Sequence, residues 1–311
     1  CHGKTSLKRL VCRKWLRVES DSARISFGKS NHSYLKRIKM PELPEVETVV
    51  RELREEICGD TITSVEIFRS NPIVQGDLDA FQEQLSGRKF LDVTRRAKYL
   101  IFHLEPKRYL VAHLRMTGKF IVSDPLPEPT KYNRIWFHLK SGRLMIFDDI
   151  RCFGTLEVYD DLDDSKSLLK LGIEPLSNAI NPSFFSKRLA SSKREIKSVL
   201  LDQKIVAGLG NIYVSEILFH ARIHPQRRAG SIKKKEWSML IKYTKFILKE
   251  AIKNNGTTIS DFRRVDDKMG TFQQFLKVYD KKEKPCTECG VPIKRIVQQQ
   301  RSTFFCPECQ K

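Results

Sequence analysis

The sequence places a proline directly after an internal methionine, in Met40-Pro41-Glu42-Leu43-Pro44-Glu45. If translation starts at Met40 and that methionine is removed, the ring nitrogen of Pro41 becomes a secondary amine. Such an amine can attack an electrophilic sugar carbon and form an iminium, whereas an amide nitrogen is not a nucleophile. An α-amino group titrates at about pH 8, well below a lysine, so part of it is neutral at neutral pH. Glu42 would then stand beside the amine as a proton donor.

Residues 1–39 differ in composition from the rest of the chain. They contain eleven Lys or Arg but only Glu19 and Asp21 as acids, and so carry +9 of the formal net charge of +20. They contain no long apolar run, which argues against a signal peptide or a membrane span. Two interpretations stay open: a basic, Ser-rich organelle transit segment, or upstream sequence attached to an open reading frame. We favour the second, and we expect residues 1–39 not to belong to the mature protein.

The remaining 272 residues can bury a sizeable core, and their length suggests two domains more than one. Their net charge of +11 suits a polyanion partner, although a basic surface often serves only solubility. Four of the eight cysteines fall in two CxxC pairs, which a reduced compartment and a metal explain better than disulfides do.

The two CxxC pairs have the spacing of a metal site. Cys286 and Cys289 are followed, after sixteen residues, by Cys306 and Cys309. Each CxxC turn can place two thiolates on one side of an ion, and two turns complete a tetrahedron of sulfur. We therefore expect one structural Zn²⁺ with all four positions filled by protein. The spacer has the length of a β-hairpin, and Arg301 within it could reach a phosphate.

Hydrophobic periodicity predicts an α+β multidomain chain. Apolar residues at helical spacing predict a first helix that ends at Gly59: Val46, Val49, Val50, Leu53 and Ile57. Short runs rich in β-branched and aromatic residues then predict a β-sandwich or barrel, over 61–69, 89–104, 109–122, 134–139, 143–147 and 153–159. Beyond an acidic linker the pattern becomes helical, over 182–191, 196–202, 211–219 and 233–254.

A glycine-containing bend, Gly208-Leu-Gly-Asn-Ile-Tyr213, opens one of these helices. Asn211 can cap the helix, and the exposed N–H groups at the positive end of the helix dipole make an anion site. The bend follows a basic helix with Lys193, Arg194 and Lys197, which favours contact with phosphate. A bend of this kind more often serves only a tight turn. We expect the tyrosine that ends it to be a core residue.

These features, in this order, resemble the formamidopyrimidine-DNA glycosylase family, which is related to endonuclease VIII. The resemblance rests on the Pro-Glu-Leu-Pro-Glu-Val-Glu start, the glycine bend and the four-cysteine module, and it covers Met40 to Lys311. It implies an N-terminal β-sandwich with a catalytic N-terminal helix, a helix-two-turn-helix domain and a C-terminal zinc-ribbon hairpin. It also implies base-excision repair of oxidised purines, notably 8-oxoguanine and formamidopyrimidines, followed by β,δ-elimination at the abasic site.

The resemblance assigns the chemistry to residues that match the family's motifs. Pro41 is the implied nucleophile that forms the Schiff base, Glu42 its acid–base partner and Glu45 a supporting carboxylate. Lys98 matches a lysine near the scissile phosphate, although by itself it would be interpreted as a solvated charge at a strand end. Arg301 matches the finger arginine that binds phosphate and assists the second elimination.

The resemblance also implies a set of DNA contacts. Met116, Arg151 and Phe153 match a trio that fills the gap left by the extruded nucleotide. Without the resemblance, Met116 and Phe153 would be interpreted as core residues and Arg151 as a surface charge. The other implied contacts are Arg134, Lys193, Lys197 and Asn211.

The chain departs from the family pattern in three places. Arg134 stands where the family usually has His, and we expect it to hold a phosphate with altered geometry. Cys152 replaces a commonly basic residue, which we expect to weaken the grip on the opposite strand. Gly256 alone remains of a glycine pair. The lesion-covering segment, around residues 261–271, is therefore where we expect damage preference to differ.

The predicted divisions are a leader (1–39), a catalytic β-sandwich (40–160), a linker (161–180), a helical DNA-binding region (181–283) and a zinc finger (284–311). The expected partner is damaged double-stranded DNA, bound by a monomer without membrane association. The expected location is the bacterial cytoplasm, in association with the nucleoid, with organelle import only if residues 1–39 are a genuine transit segment.

Two alternative functions stay open. One is an endonuclease VIII-like glycosylase for oxidised pyrimidines, although Leu43 and the trio of Met116, Arg151 and Phe153 favour the purine enzyme. The other is a non-catalytic zinc-ribbon protein that binds DNA, which retention of residues 1–39 would favour because the Pro41 nitrogen would then be an amide.

Overall fold

Two antiparallel sheets pack face to face in the N-terminal half of the chain. The computed structural model describes residues 40–69, 73–74, 76–124, 126–257 and 271–311. The strands are β1 (Ile62–Ile67), β2 (Lys89–Arg96), β3 (Tyr99–Glu105), β4 (Arg108–His113), β5 (Gly118–Ser123), β6 (Asn133–Leu139), β7 (Leu144–Asp149) and β8 (Thr155–Tyr159). One sheet has the order β1-β6-β7-β5 and the other β2-β3-β4-β8.

Aromatic side chains fill the space between the sheets. Phe102 of β3 contacts Phe120 of β5 with ring centroids 5.2 Å apart, and Phe120 contacts Phe147 of β7 at 5.0 Å. All three rings are buried together with the inward aliphatic residues of both sheets. Burying each such side chain contributes on the order of 1.5–3 kcal/mol. The sandwich is thus a rigid base for the loops that leave its ends.

Helix α1 (Leu43–Ile57) connects the sandwich to a second core. Its apolar stripe packs in the sandwich core, whereas Leu43 at its start belongs to the helical core. Glu42 is the N-cap, and its N–H donates to the Glu45 carboxylate at 3.0 Å, as in a capping box. The start of α1, next to Pro41, therefore lies where the two cores meet.

The second core is helical and extends into the C-terminal hairpin. Its helices are α3 (Lys166–Leu169), α4 (Pro182–Leu189), α5 (Ile196–Leu200), α6 (Asn211–His220) and α7 (Lys234–Lys253), with 3₁₀ turns at Leu162–Asp164, Ala229–Ser231 and Phe272–Phe275. Phe185 stacks on Trp237 with ring centroids 4.3 Å apart. The hairpin strands, β9 (Lys294–Gln298) and β10 (Arg301–Phe305), add Phe304 to this core. All described residues lie in one compact unit.

The predicted α+β architecture is confirmed, and some of its details are wrong. The runs 89–104 and 109–122 each form two strands, because Ala97 and Arg115 take positive φ values of 54° and 52° and turn the chain. A helix over Leu78–Leu85 (α2), capped by the side chain of Asp77, is missing from the sequence prediction. The predicted domain boundaries stay predictions. Of the predicted lesion-covering segment, residues 261–270 lie outside the described residues.

Candidate active site

The Glu42 carboxylate occupies the N-terminus of α6. It accepts hydrogen bonds from the backbone N–H groups of Ile212 at 2.9 Å and Tyr213 at 3.3 Å. The positive end of the helix dipole favours a negative charge there. Gly210 is required at the approach, because an added Cβ would overlap the Glu42 carboxyl carbon. The anion site predicted at this bend therefore holds a carboxylate of the protein itself.

One prediction for the same bend is wrong. Asn211 does not cap α6: the N-cap is Gly210, and Asn211 is the first helical residue. The N–H groups of the next two residues, Ile212 and Tyr213, already donate to Glu42. The side chain of Asn211 has a different partner. Its Nδ2 donates to the carbonyl of Ser302 at 2.9 Å, so it contacts the C-terminal hairpin.

Burial gives Glu42 an unusual proton affinity. The side chain is 4% exposed. Burial raises the pKa of its carboxyl to about 7; Lys98 opposes this shift, the Glu45 carboxylate adds to it, and the two backbone N–H groups oppose it. A carboxyl with a pKa near neutrality can both donate and accept a proton under physiological conditions.

Glu45 is the centre of a second buried network. Its Oε1 accepts hydrogen bonds from the Tyr213 hydroxyl at 2.6 Å, the Thr257 N–H at 2.8 Å and the Thr257 hydroxyl at 2.9 Å. Gly256 has φ +73°, and a Cβ there would lie 2.8 Å from the same oxygen. The Glu45 carboxylate thus connects the start of α1, through its bond from Glu42, with α6 and the residues that follow α7.

Lys98 lies in the turn between β2 and β3 and is 8% exposed. The carboxylate of Glu174 fixes that turn, because its Oε1 accepts hydrogen bonds from the Ala97 N–H and from Arg96 at 3.0 Å. Burial lowers the pKa of Lys98; Glu42 opposes the shift and the charge of Arg301 adds to it. The interpretation of Lys98 as a solvated charge is therefore wrong. The lysine lies within electrostatic reach of Glu42.

Arg301 begins the second strand of the hairpin and is exposed. The turn before it consists of Gln299 and Gln300, both with positive φ, as in a two-residue type I′ turn. The helical domain holds the next residues of the hairpin: Lys197 Nζ donates to the Ser302 carbonyl at 3.1 Å and to the Thr303 hydroxyl at 2.6 Å. The turn before Arg301 and the anchored residues after it thereby fix the position of Arg301.

Lys197 is almost fully buried in this interface. Burial lowers its pKa to about 7; the charge of Arg301 contributes to the shift, and Glu42 and Glu195 oppose it. Both hydrogen bonds of its Nζ go to residues of the hairpin. The predicted contact of Lys197 with a phosphate stays a prediction, as does that of Asn211.

Two further predicted phosphate contacts differ in exposure. Lys193 is exposed ahead of α5. Arg134 is buried, and its Nε and Nη1 donate to the carbonyls of Asp149 at 2.6 Å and Lys131 at 2.9 Å. Both roles stay predictions, although the Arg134 guanidinium already has two backbone partners.

Met116, Arg151 and Phe153, which we call the wedge, come together at one end of the sandwich. Arg151 Nη1 lies 3.0 Å from the Met116 sulfur, and the Arg151 guanidinium carbon lies 4.5 Å from the centroid of the Phe153 ring. Phe153 is 47% exposed, so its interpretation as a core residue is wrong. Cys152, beside it, is buried with φ 55°.

The four cysteines of the hairpin form the predicted metal site. Their sulfur atoms all lie within 4.8 Å of one another, with Cys286 and Cys309 at 3.9 Å and Cys289 and Cys306 at 3.4 Å. A tetrahedral zinc with Zn–S bonds of about 2.3 Å separates its sulfurs by about 3.8 Å, so the residues fit the ion. One structural zinc ion is held here, with every ligand position filled by protein.

Several residues that position the site have no distinctive pattern in the sequence. Tyr213 is buried as predicted, but it also donates to Glu45. Thr257 and Glu174 receive no role, because a threonine after a helix and a glutamate in a linker have no distinctive local pattern. The glycine-rich spacing around Gly210 is the signal that could have indicated the close approach of another segment.

Family comparisons match consecutive parts of the chain. The matched families are the formamidopyrimidine-DNA glycosylase N-terminal domain over residues 40–156, the formamidopyrimidine-DNA glycosylase H2TH domain over 171–263, and a zinc finger found in FPG and IleRS over 283–311. Among the described residues, no helix is long and apolar enough to cross a membrane.

Individual relatives are similar along nearly their whole length. The formamidopyrimidine-DNA glycosylases of Desulforamulus reducens and Listeria innocua are 40% and 42% identical to this chain, covering 88% of it and 99% and 100% of the relatives. Lactococcus lactis Fpg bound to abasic-site DNA has a TM-score of 0.80 at 35% identity, covering 87% of this chain and 99% of that one. The MutM (Fpg) protein from Thermus thermophilus has a TM-score of 0.78 at 41% identity, covering 87% and 98%.

Proposed function

The chain belongs to the formamidopyrimidine-DNA glycosylase family, and we propose that it removes oxidised purines from duplex DNA and cleaves the resulting abasic site through a Schiff base on Pro41. The relatives' names support the substrate class. So does a solved complex of Lactococcus lactis Fpg with DNA that contains Fapy-dG, which has a TM-score of 0.80 and 35% identity and covers 87% of this chain and 100% of that one.

The proposal rests on the position of the Glu42 carboxyl at the N-terminus of α6. The carboxyl adjacent to Pro41 is buried on the N-terminus of α6, near Lys98, with a pKa of about 7. A raised pKa suits a proton donor beside an attacking amine, because the carboxyl then stays partly protonated near neutral pH.

The chemical steps follow from a free Pro41 amine. Its nitrogen attacks C1′ of the damaged nucleotide, the bond from C1′ to the base breaks, and the base leaves with the electron pair and takes up the proton that the Pro41 nitrogen loses. Glu42 donates a proton to the sugar ring oxygen, so the ring opens and an iminium forms between Pro41 and C1′.

The iminium then drives two eliminations. It acidifies the protons on C2′: a base takes one of them, a C2′–C3′ double bond forms, and the C3′–O bond breaks and releases the 3′ phosphate. A second elimination expels the 5′ phosphate. Lys98 and Arg301 are the proposed cations at these phosphates, since each leaving group carries negative charge. The zinc takes no part in these steps; Cys286, Cys289, Cys306 and Cys309 would hold it so that the hairpin presents Arg301.

Access to the base requires that the nucleotide leave the duplex. Extrusion costs a few kcal/mol of stacking and pairing energy. The wedge is proposed to enter the gap and hold the bent duplex, as apolar side chains do in other DNA-bending proteins. Phosphate contacts are proposed for Lys98, Lys193, Lys197 and Arg301. The affinity for DNA should therefore fall as the salt concentration rises.

The decisive experiment compares two proteins that differ only at Pro41. One begins at Pro41 after removal of Met40, and the other keeps one extra residue ahead of it. Borohydride should trap the first, and only the first, on duplexes with 8-oxoguanine. Equal binding of both proteins to a stable abasic analogue controls for folding. Trapping or cleavage by the extended protein would reject Pro41 as the nucleophile.

Substrate class is tested separately with 8-oxoguanine and thymine glycol duplexes. Faster excision of 8-oxoguanine supports the proposal, and faster excision of thymine glycol would assign the chain to oxidised pyrimidines. A cytoplasmic, nucleoid-associated monomer completes the proposal, and the bacterial origin of the relatives supports the location.

A further inference from the structure

We infer that Asp149 is the positioning residue that orders the wedge, and that it thereby sets how well the enzyme extracts a paired nucleotide. The inference rests on the proposed function, because it assigns a purpose to the side chains of the wedge. It concerns a residue at the end of β7 that is 0% exposed and contacts neither Glu42 nor the hairpin through any described hydrogen bond.

The wedge comes from two separate loops. Met116 lies between β4 and β5, and Arg151 and Phe153 lie between β7 and β8. Arg151 and Phe153 are exposed, and Ile150 beside them is 46% exposed. Exposed residues in short loops gain little order from burial. Contacts with buried residues are therefore needed to hold both loops in one arrangement.

The Asp149 carboxylate binds both loops from below. One oxygen accepts hydrogen bonds from the Thr117 hydroxyl and from the Arg151 N–H at 3.1 Å. The other accepts from the Gly154 N–H at 2.8 Å. The Thr117 hydroxyl itself accepts from the Arg151 N–H at 3.0 Å, which closes the network. One side chain therefore fixes the residue after Met116 and the residues on both sides of Phe153.

Arg134 secures the backbone of the same residue. Its Nε donates to the Asp149 carbonyl at 2.6 Å and its Nη1 to the Lys131 carbonyl at 2.9 Å. Side chain and main chain of Asp149 are thus both held by hydrogen bonds, and the Arg134 guanidinium, for which a phosphate contact is predicted, also supports this residue. A buried carboxylate with three charge-assisted hydrogen bonds is costly to disturb, since each lost partner leaves a polar group unsatisfied.

The expected consequence concerns paired substrates. A wedge in fixed geometry lowers the barrier to extruding a nucleotide from an intact duplex. It has little to contribute when the nucleotide is already unpaired, because the extrusion cost is then small. Loss of Asp149 should therefore slow excision from a fully paired duplex much more than excision of the same lesion placed in an unpaired bubble.

The test uses Asp149→Asn and the matched control Asp148→Asn, which makes the same change one residue earlier in β7. Asn turns one acceptor oxygen into a donor that faces an N–H or hydroxyl. We expect kcat/KM on paired 8-oxoguanine duplexes to fall about ten-fold relative to bubble substrates, the size of one hydrogen bond to a charged group. Asp148→Asn should leave that ratio unchanged.

A second pair of variants decides the question if Asp149→Asn folds poorly. Thr117→Val removes the hydroxyl from the network, and Thr117→Ser keeps it. We expect the paired-to-bubble ratio to fall for Val and to be restored for Ser. We also expect 2-aminopurine opposite a stable abasic analogue to show weaker unstacking with Asp149→Asn and Thr117→Val.

The outcomes distinguish failure of the proposed function from failure of the role inferred for Asp149. Wild-type protein that neither traps nor cleaves would overturn the proposed function. Active wild-type protein with the same paired-to-bubble ratio in Asp149→Asn and Thr117→Val would overturn the inference alone. An equal loss on both substrates would also overturn it, because that result indicates general destabilisation.

Discussion

The carboxylate centre of Glu42 and Glu45 and the wedge of Met116, Arg151 and Phe153 are built in opposite ways. In the carboxylate centre the proposed proton donor, Glu42, is itself buried, and its backbone hydrogen-bond partners Ile212 and Tyr213 come from the helical domain. In the wedge Arg151 and Phe153 are exposed and Met116 is half-buried, whereas the supporting carboxylate of Asp149 is buried. Both regions contain a buried acid, but in the proposed function only Glu42 takes part in the chemistry.

The difference follows from what each region must do. A proton donor at neutral pH needs a shifted pKa, and burial is the main cause of that shift at Glu42. Side chains that enter DNA must be accessible beforehand, so their order has to come from groups beneath them. Mutations in the two regions should accordingly separate chemistry from extraction of the base.

The largest expected effect is that of Glu42→Gln. Gln keeps the size of the side chain but cannot donate the proton, so base excision should fall ~10²- to 10⁴-fold while binding to a stable abasic analogue persists. Single-turnover kinetics and fluorescence anisotropy measure the two. Glu55→Gln, on the exposed face of α1, is the matched control and should be silent. A parallel loss of binding would contradict the separation.

The stability of the same variant relative to wild type should increase as pH rises. The folded pKa of about 7 lies above the ordinary value of 4.5, so the group's stabilising contribution is complete below pH 4.5 and is lost as pH rises through 7. Gln has no charge to bury. Thermal melting at pH 5 and pH 8.5 should show that the Tm of the variant minus that of wild type is larger at the higher pH.

A smaller loss is expected from Gly210→Ala. The new Cβ would overlap the carboxyl carbon of Glu42 and displace it from α6. Misplacement of a catalytic group by about 1 Å can cost about 10²-fold in rate. Gly142→Ala, in the β6–β7 hairpin, is the control: its φ of +89° makes the substitution strained, but open space surrounds it. The control should lower Tm without lowering kcat. An unchanged kcat in Gly210→Ala would contradict the close packing of Glu42 against Gly210.

The wedge is tested by Phe153→Ala. Loss of stacking worth ~1–3 kcal/mol should lower kcat/KM on paired duplexes about 5- to 100-fold. Cleavage of a preformed abasic site in a bubble should stay close to wild type. Phe246→Ala removes an equally exposed ring from α7 and should have no effect. If bubble cleavage fell as far as duplex excision, Phe153 would belong to the chemistry.

The smallest effect is a pH dependence. With a pKa of about 7, the protonated fraction of Glu42 falls about ten-fold between pH 6 and pH 8. The ratio of the wild-type excision rate to the Glu42→Gln rate should fall with it, because this ratio cancels the titration of the Pro41 amine. A ratio that is flat from pH 5 to pH 9 would mean that Glu42 transfers no proton in the slow step.

Residues with a local pattern could be assigned from sequence, and residues that act through tertiary contacts could not. The CxxC pairs predicted the metal site because all four ligands lie in two short turns. Lys98 was open to misinterpretation, since its burial depends on a turn fixed by Glu174 from another part of the chain. Asp149 looks like an ordinary acid at a strand end, and only the folded loops reveal its three hydrogen bonds.

The binding of Glu42 by the N-terminus of α6 also restricts which domains can be recombined in evolution. A sandwich recombined with a foreign helical domain would keep its reactive end, but the backbone donors that receive the buried charge would come from a different parent. An uncompensated buried carboxylate destabilises a protein by several kcal/mol, on the order of its whole stability margin. Productive chimeras must therefore inherit residues 42–45 and 208–213 as compatible partners.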